Sequence, residues 1–232
     1  MPNSLSPKIL QALEKALNSD RLKRYQDGTD YDPAHSLRLY MWNAELCESF
    51  YFPLQVAEVL VRNAVHNCVS YYYKQDWWRN THFLNELKSE YRQELAGVIS
   101  EEKASHPQTF TGHHVVSGMS FGFWESLLNT RFRHLLWKNS LKYHFPNLPK
   151  LPITTVQDVQ DKIMEVRQWR NRVAHHSAIF DKAPEAKHEL ALTLIGWVCA
   201  DTAAYVRSVS KFDGAFARKP LRVIEGDAQA AS

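Results

Sequence analysis

Apolar residues recur every three or four positions along nearly the whole of this 232-residue chain, and no stretch of useful length alternates apolar with polar. That is the period of an amphipathic helix, so the expected fold class is all-α. Turn formers are scarce: 8 Gly and 10 Pro are few for a chain of this length and argue against a turn-rich β fold. Seven Trp and a 12% aromatic content supply enough bulk for a dense core and exclude disorder for most of the chain. There is no internal repeat of roughly 20–50 residues, which excludes a solenoid.

Prolines punctuate the helical pattern. Pro7 opens a first amphipathic helix ending near Asp27-Gly28, Pro33 a second through Leu46, and Pro53 a third to about Tyr72. Asn85 to Lys103 reads as a fourth helix, residues 104 to 120 as a polar loop, and Phe121 to about His144 as a fifth helix. Pro146, Pro149 and Pro152 break the chain. Thr155 to His176 is a sixth helix and Pro184 to Val209 a seventh. The expected organisation is one domain over residues 1–210, with a flexible tail over 211–232.

With 28 Lys plus Arg against 25 Asp plus Glu, the formal charge is +3. Bulk charge therefore does not mark a nucleic-acid binder, and any such role must come from a local cluster. Cys47, Cys68 and Cys199 are scattered and form no CxxC, as expected of reduced thiols in a cytoplasmic protein. The most apolar run, Leu190 to Ala200, is too short for a membrane span, which needs about 20 residues. No P-loop, GxGxxG or GxSxG is present, so kinase, dehydrogenase and hydrolase readings lack their motifs.

Two helices carry groups out of keeping with a plain core. In the helix from Thr155, Val156, Val159, Ile163 and Val166 form an apolar seam, and Arg170 falls at its next place. An Arg there needs a carboxylate, a wet cleft or an anion, because an unpaired buried charge costs several kcal/mol. A purely structural ion pair meets the same need. The string Trp169 to His176, WRNRVAHH, gathers two Arg and two His. His trades protons near neutral pH and Arg binds phosphate in two-pronged fashion, a set suited to cleaving RNA through its own 2′-OH. A basic helix C-terminus that complements the helix dipole is the simpler alternative. In the helix from Pro53, Gln55, Glu58, Arg62 and His66 share an arc of about 80° on an otherwise apolar cylinder. That stripe is either a thin solvent edge with Glu58–Arg62 as an i,i+4 pair, or one wall of a cleft in which Glu58 holds an arginine.

Three segments resemble one known family. Arg170-Asn171-Arg172-Val173-Ala174-His175 matches the R-N-x-x-x-H form of the Rx4-6H motif of HEPN domains, and RNRVAHHSAIF is similar to a segment of the Abi-like (abortive infection) family within them. SFGFWESLL, Ser120 to Leu128, and FYFPLQVAEVLVRNAV, Phe50 to Val65, resemble two more segments of that family in the same order, so the likeness spans roughly positions 36 to 181. The resemblance implies a HEPN-like helical bundle with additional helices and a metal-independent endoribonuclease without cofactors. It implies Arg170 and His175 as the catalytic pair, with Asn171, His176, Glu58 and Arg62 supporting them. Arg172, Asn63 and His66 are then RNA-binding. It also implies a homodimer, a toxin or phage-defence role in a bacterial cytoplasm, and an antitoxin or regulatory RNA as the controlling partner. Members of the family also serve as modules that bind RNA or a partner protein without cleavage, which is the alternative function.

Two features depart from that pattern or strain it. Some HEPN toxins carry a Tyr two places after the His and are silenced there by nucleotidylation; here the place holds Ser177. Arg170 and His175 project about 140° apart on a straight helix, so either the helix distorts near Ala174 or the working pair comes from two chains. Of the remaining clusters, His113-His114 lacks a Cys or acidic partner at ligand spacing, and no metal is expected. Tyr71-Tyr72-Tyr73 with Trp77-Trp78 reads either as a base-stacking platform or as a helix end packing its aromatics.

Overall fold

The computed structural model describes residues 6–132, 141–149 and 156–221, and among them there is no strand. The fold class is all-α. The helices are α1 (Pro7–Leu17), α2 (Ser19–Asp27), α3 (Pro33–Tyr73), α4 (Thr81–Glu86), α5 (Ser89–Ser105), α6 (Gly112–Gly118) and α7 (Phe121–Ser126). They are followed by α8 (Leu141–His144), α9 (Val156–Ala174), α10 (Pro184–Val198), α11 (Ala200–Val209) and α12 (Phe212–Ala217). Single turns of 3₁₀ helix occupy Trp77–Arg79 and Thr130–Phe132. None of the described helices is long and apolar enough to cross a membrane.

The boundaries differ from the sequence reading for identifiable reasons. The expected first helix is two, because Asn18 adopts φ 66° and its side chain then caps α2 by accepting from the Asp20 N–H. The expected second and third helices are one. Pro53 removes a backbone bond and costs about 3 kcal/mol in a helix interior. Phe50, Leu54, Ala57 and Val61 surround it in sequence at 0–2% exposure, and burying such side chains returns about 1.5–3 kcal/mol each for the larger ones. The loop expected over 104–120 contains α6, started by a capping box between Thr111 and His114. The expected fifth helix stops at Ser126, and residues 133–140 lie outside the described residues, as does Pro152.

By internal contacts the chain divides into two compact units, each assembled from separate stretches of sequence. The first holds residues up to Tyr51, Arg172–Glu185 and everything from Ser210. Its core is built on Leu22, Tyr25, Leu37, Trp42, Leu46, Phe50 and Ile179. α12 belongs to this core: Phe212 is 3% exposed and packs edge-on against Phe50, and the Trp42 indole N–H donates to the Ala215 carbonyl at 2.8 Å. The segment expected to be a tail from residue 211 thus begins with a packed helix, and residues 222–232 lie outside the described residues.

The second unit holds Phe52–Asn171 and Ala186–Val209. Trp77, Phe83, Phe123 and Trp124 form its aromatic centre, with centroids 5.0–6.0 Å apart. Trp77 and Trp78 are buried, so neither serves as an open stacking platform; Tyr71 alone of the aromatics Tyr71, Trp77 and Trp78 is exposed. Along α9, Val159, Ile163, Val166 and Trp169 are buried at 0–3% exposure. Trp169, not Arg170, continues the seam. The indole gains more from burial than a guanidinium does, and the rotation sets Arg170 at the margin of the core.

Candidate active site

The second unit contains a cleft of about 510 Å³ whose walls include Glu58, Tyr91, Arg167, Arg170, Asn171 and the stretch Ser117–Gly122. α3 supplies Glu58. Its neighbours Leu54, Ala57 and Val61 face the core, which leaves Glu58 at the boundary with a side chain 22% exposed. α9 supplies Arg170, whose Nε donates to Glu58 Oε2 at 2.9 Å while Nη1 donates to Asn171 Oδ1 at 3.4 Å. The Arg170 side chain is 43% exposed, so the ion pair is half-buried with one guanidinium edge committed to the carboxylate. The expected partnership of Arg170 with Glu58 is present, and the i,i+4 alternative of Glu58 with Arg62 is not: the Arg62 Nε donates to Asn63 Oδ1 at 3.3 Å.

One turn before Arg170 stands a cation that the sequence reading passed over. Arg167 Nε donates to Glu125 Oε2 at 2.5 Å, and Glu125, on α7, is 8% exposed. Positions three apart on a helix are neighbours, so the cleft carries two guanidinium groups side by side, each anchored by a carboxylate from another helix. Glu125 is also near Tyr91, whose hydroxyl is pushed up in pKa by burial first and by the Glu125 charge second. The signal was there: an acid inside the aromatic run FGFWESLL has to find a cation. The cleft wall over Ser117–Gly122 is fixed by Glu94, whose Oε1 accepts from the Ser120 N–H at 2.8 Å, and by Ser120, which caps α7.

Arg62, Asn63 and His66 are not among the residues lining this cleft. His66 is held in the aromatic centre, where its Nδ1 accepts from the Trp77 indole N–H at 3.1 Å and its ring meets Trp77 and Trp124 edge-on. Burial, then the His113 and Arg62 charges, lower its pKa. With Nδ1 accepting from Trp77, the ring is neutral in this setting.

Arg172, His175 and His176 belong to the first unit, and all three are exposed. α9 ends at Ala174, so the 140° separation of a straight helix does not extend to His175. The stop is a Schellman motif: the Ser177 N–H donates to the Arg172 carbonyl at 2.9 Å and the His176 N–H to the Val173 carbonyl at 3.1 Å. His176 takes the left-handed position with φ 53°, a place usually held by Gly. Its carbonyl accepts from the Arg21 guanidinium. The following turn is pinned by Asn43, which is 3% exposed on α3: its Oδ1 accepts from the Ile179 N–H at 2.7 Å and the Phe180 N–H at 3.2 Å, and its Nδ2 donates to the Ser177 carbonyl at 3.3 Å. Asn43 is a positioning residue that the periodicity concealed, since only an Asn amid the apolar residues of MWNAEL hinted at it.

Compared with family models, with curated proteins and with solved structures, the chain matches none of them.

Proposed function

We propose that this chain is a metal-independent endoribonuclease of the HEPN type, related to the Abi-like proteins, that acts in a bacterial cytoplasm as a toxin or phage-defence enzyme. The observation that carries the reading is the Arg170–Glu58 pair beside Asn171 in a polar cleft, on the R-N-x-x-x-H segment that the sequence singles out. His175 is exposed at a helix end whose path is fixed by hydrogen bonds. In this reading the imidazole of His175 takes the proton of an RNA 2′-OH, and the freed oxygen attacks the adjacent phosphorus. Arg170, oriented by Glu58, offers its remaining N–H groups to the phosphoryl oxygens as charge builds on them. A proton returned to the departing 5′-oxygen completes the step, leaving a 2′,3′-cyclic phosphate and a 5′-hydroxyl. The exposed His176 is the second proton carrier in reach of the same segment.

The working unit is a homodimer in which Arg170 of one chain serves with His175 of its partner, and an antitoxin or a regulatory RNA holds it in check. The test is cleavage of single-stranded and structured RNA by the purified protein with chelator present. Wild type cleaves, and Arg170→Ala and His175→Ala each lose about 10²–10⁴-fold in rate while keeping their helical circular dichroism. Binding of RNA without cleavage by the wild type replaces this reading with that of a non-catalytic RNA-binding module. Cleavage that disappears with chelator while circular dichroism and RNA binding stay unchanged overturns the mechanism.

A further inference from the structure

Outside the cleft, Glu102, His106 and His114 bring one ligand-type atom each to within 4.8 Å of one another. Glu102 and His106 stand one turn apart at the C-terminal end of α5, and His114 is the third residue of α6. The rings of His106 and His114 lie 4.3 Å apart between centroids at 36°. Two imidazoles and a carboxylate are the donor types that bind transition metals.

Two details favour such an ion, and a third shows what binding it would change. Nδ1 of His106 is buried and makes no hydrogen bond. It faces Glu102 Oε2 at 3.3 Å, an ion pair only when the ring is protonated. Two ligands of a tetrahedral zinc ion with bonds of 2.0–2.1 Å lie about 3.3 Å apart, so the pair already has the spacing of one edge of such a site. Finally, Thr111 Oγ1 lies 3.0 Å from His114 Nδ1. A histidine bound to metal through one nitrogen needs an acceptor for the N–H of the other, and Thr111 Oγ1 is that acceptor. Without metal, His114 Nδ1 instead accepts from the Thr111 N–H at 3.0 Å as part of the α6 cap. Metal binding through Nε2 therefore puts a proton on Nδ1, which gives up the bond from the Thr111 N–H and gains one to Thr111 Oγ1.

We propose that Glu102, His106 and His114 form a zinc site with three protein ligands and water in the fourth place, a clip between the end of α5 and the start of α6. Two imidazoles and a carboxylate suit Zn²⁺ over Mg²⁺ or Ca²⁺, which prefer oxygen. The clip has a local consequence, because α6 leads directly into Ser117–Gly122, the wall of the cleft.

The test is equilibrium dialysis of the tag-free full chain against Zn²⁺, with Co²⁺ as a spectroscopic substitute. Wild type holds one Zn²⁺ per chain, and its Co²⁺ form shows the intense visible bands of a four-coordinate ion. His114→Ala and Glu102→Gln each weaken binding by more than about tenfold, and Thr111→Val by about tenfold, the effect typical of losing an outer partner. Glu102→Gln leaves the α6 cap intact, so a loss there is not a folding defect, and circular dichroism checks the others. A wild type that holds no Zn²⁺ overturns the proposal. So does binding that is equal in wild type and all three variants, which places the ion elsewhere among the 11 His. Neither outcome bears on RNA cleavage.

Discussion

At the scale of single residues, the pattern that matters is a polar side chain held where its neighbours are apolar. Asn43, Glu125 and His66 are each fixed by a specific partner, because a buried polar group without one costs about 1–3 kcal/mol. His66 makes this measurable. Its folded-state pKa lies below the ordinary 6.5, with burial as the first cause and the facing His113 and Arg62 as the others. The unfolded chain therefore binds the extra proton more readily, so the stability linked to His66 is present above about pH 6.5 and is lost as pH falls below it. Urea unfolding at pH 7.5 and pH 5.5 should show the wild type losing stability at the lower pH. His66→Gln, which keeps an acceptor for the Trp77 indole, should lose less over the same interval. Equal losses in the two proteins would remove His66 as the source.

Among the elements, the α5–α6 corner shows what close packing demands of a sequence. A Cβ on Gly118 would lie 2.6 Å from Val98 Cγ1, and a β-branched neighbour has little freedom to move aside. Gly97, which lies on α5 next to Val98, has nothing within 4 Å of the same added atom. The two glycines should thus respond with opposite signs. Gly118→Ala is expected to destabilise by about 1–3 kcal/mol through overpacking. Gly97→Ala is expected to stabilise by up to about 1 kcal/mol through helix propensity alone. Midpoints of urea unfolding read both, and a stabilising Gly118→Ala would mean that the corner is looser than described. Pro53 teaches the converse lesson within α3: a residue that normally starts a helix is carried in its interior, because the side chains on either side of it are buried.

For the whole molecule, the proposed function asks how Arg170 and His175, which belong to different compact units, act on one phosphate. The proposed homodimer answers it with one residue from each chain, since a two-fold interface presents the same segment twice. Mixing Arg170→Ala chains with His175→Ala chains should then restore a fraction of the RNA cleavage that neither shows alone. A mixture as inactive as its components, from proteins that do exchange subunits, would remove the cross-chain arrangement while leaving the chemistry of each residue in place. The paired cations Arg167 and Arg170 should make RNA binding weaken as salt rises.

The helical class, the amphipathic faces and the Arg- and His-rich string from Arg170 to His176 are legible in the sequence, because they depend on local period and residue type. The sequence left Glu58 the choice of Arg170 or its i,i+4 neighbour Arg62, and the packing of α9 against α3 selected Arg170. The choice of Trp169 over Arg170 for the core, the continuity of α3 through Pro53 and the packing of α12 were decided by tertiary structure. In each case the buried area gained exceeds a local preference worth a few kcal/mol at most. The same holds for partners distant in sequence: Glu125 with Arg167, Asn43 with the turn after His176, and Glu102 and His106 with His114. Periodicity reports which face of a helix is buried, but only the packed chain determines what that face meets.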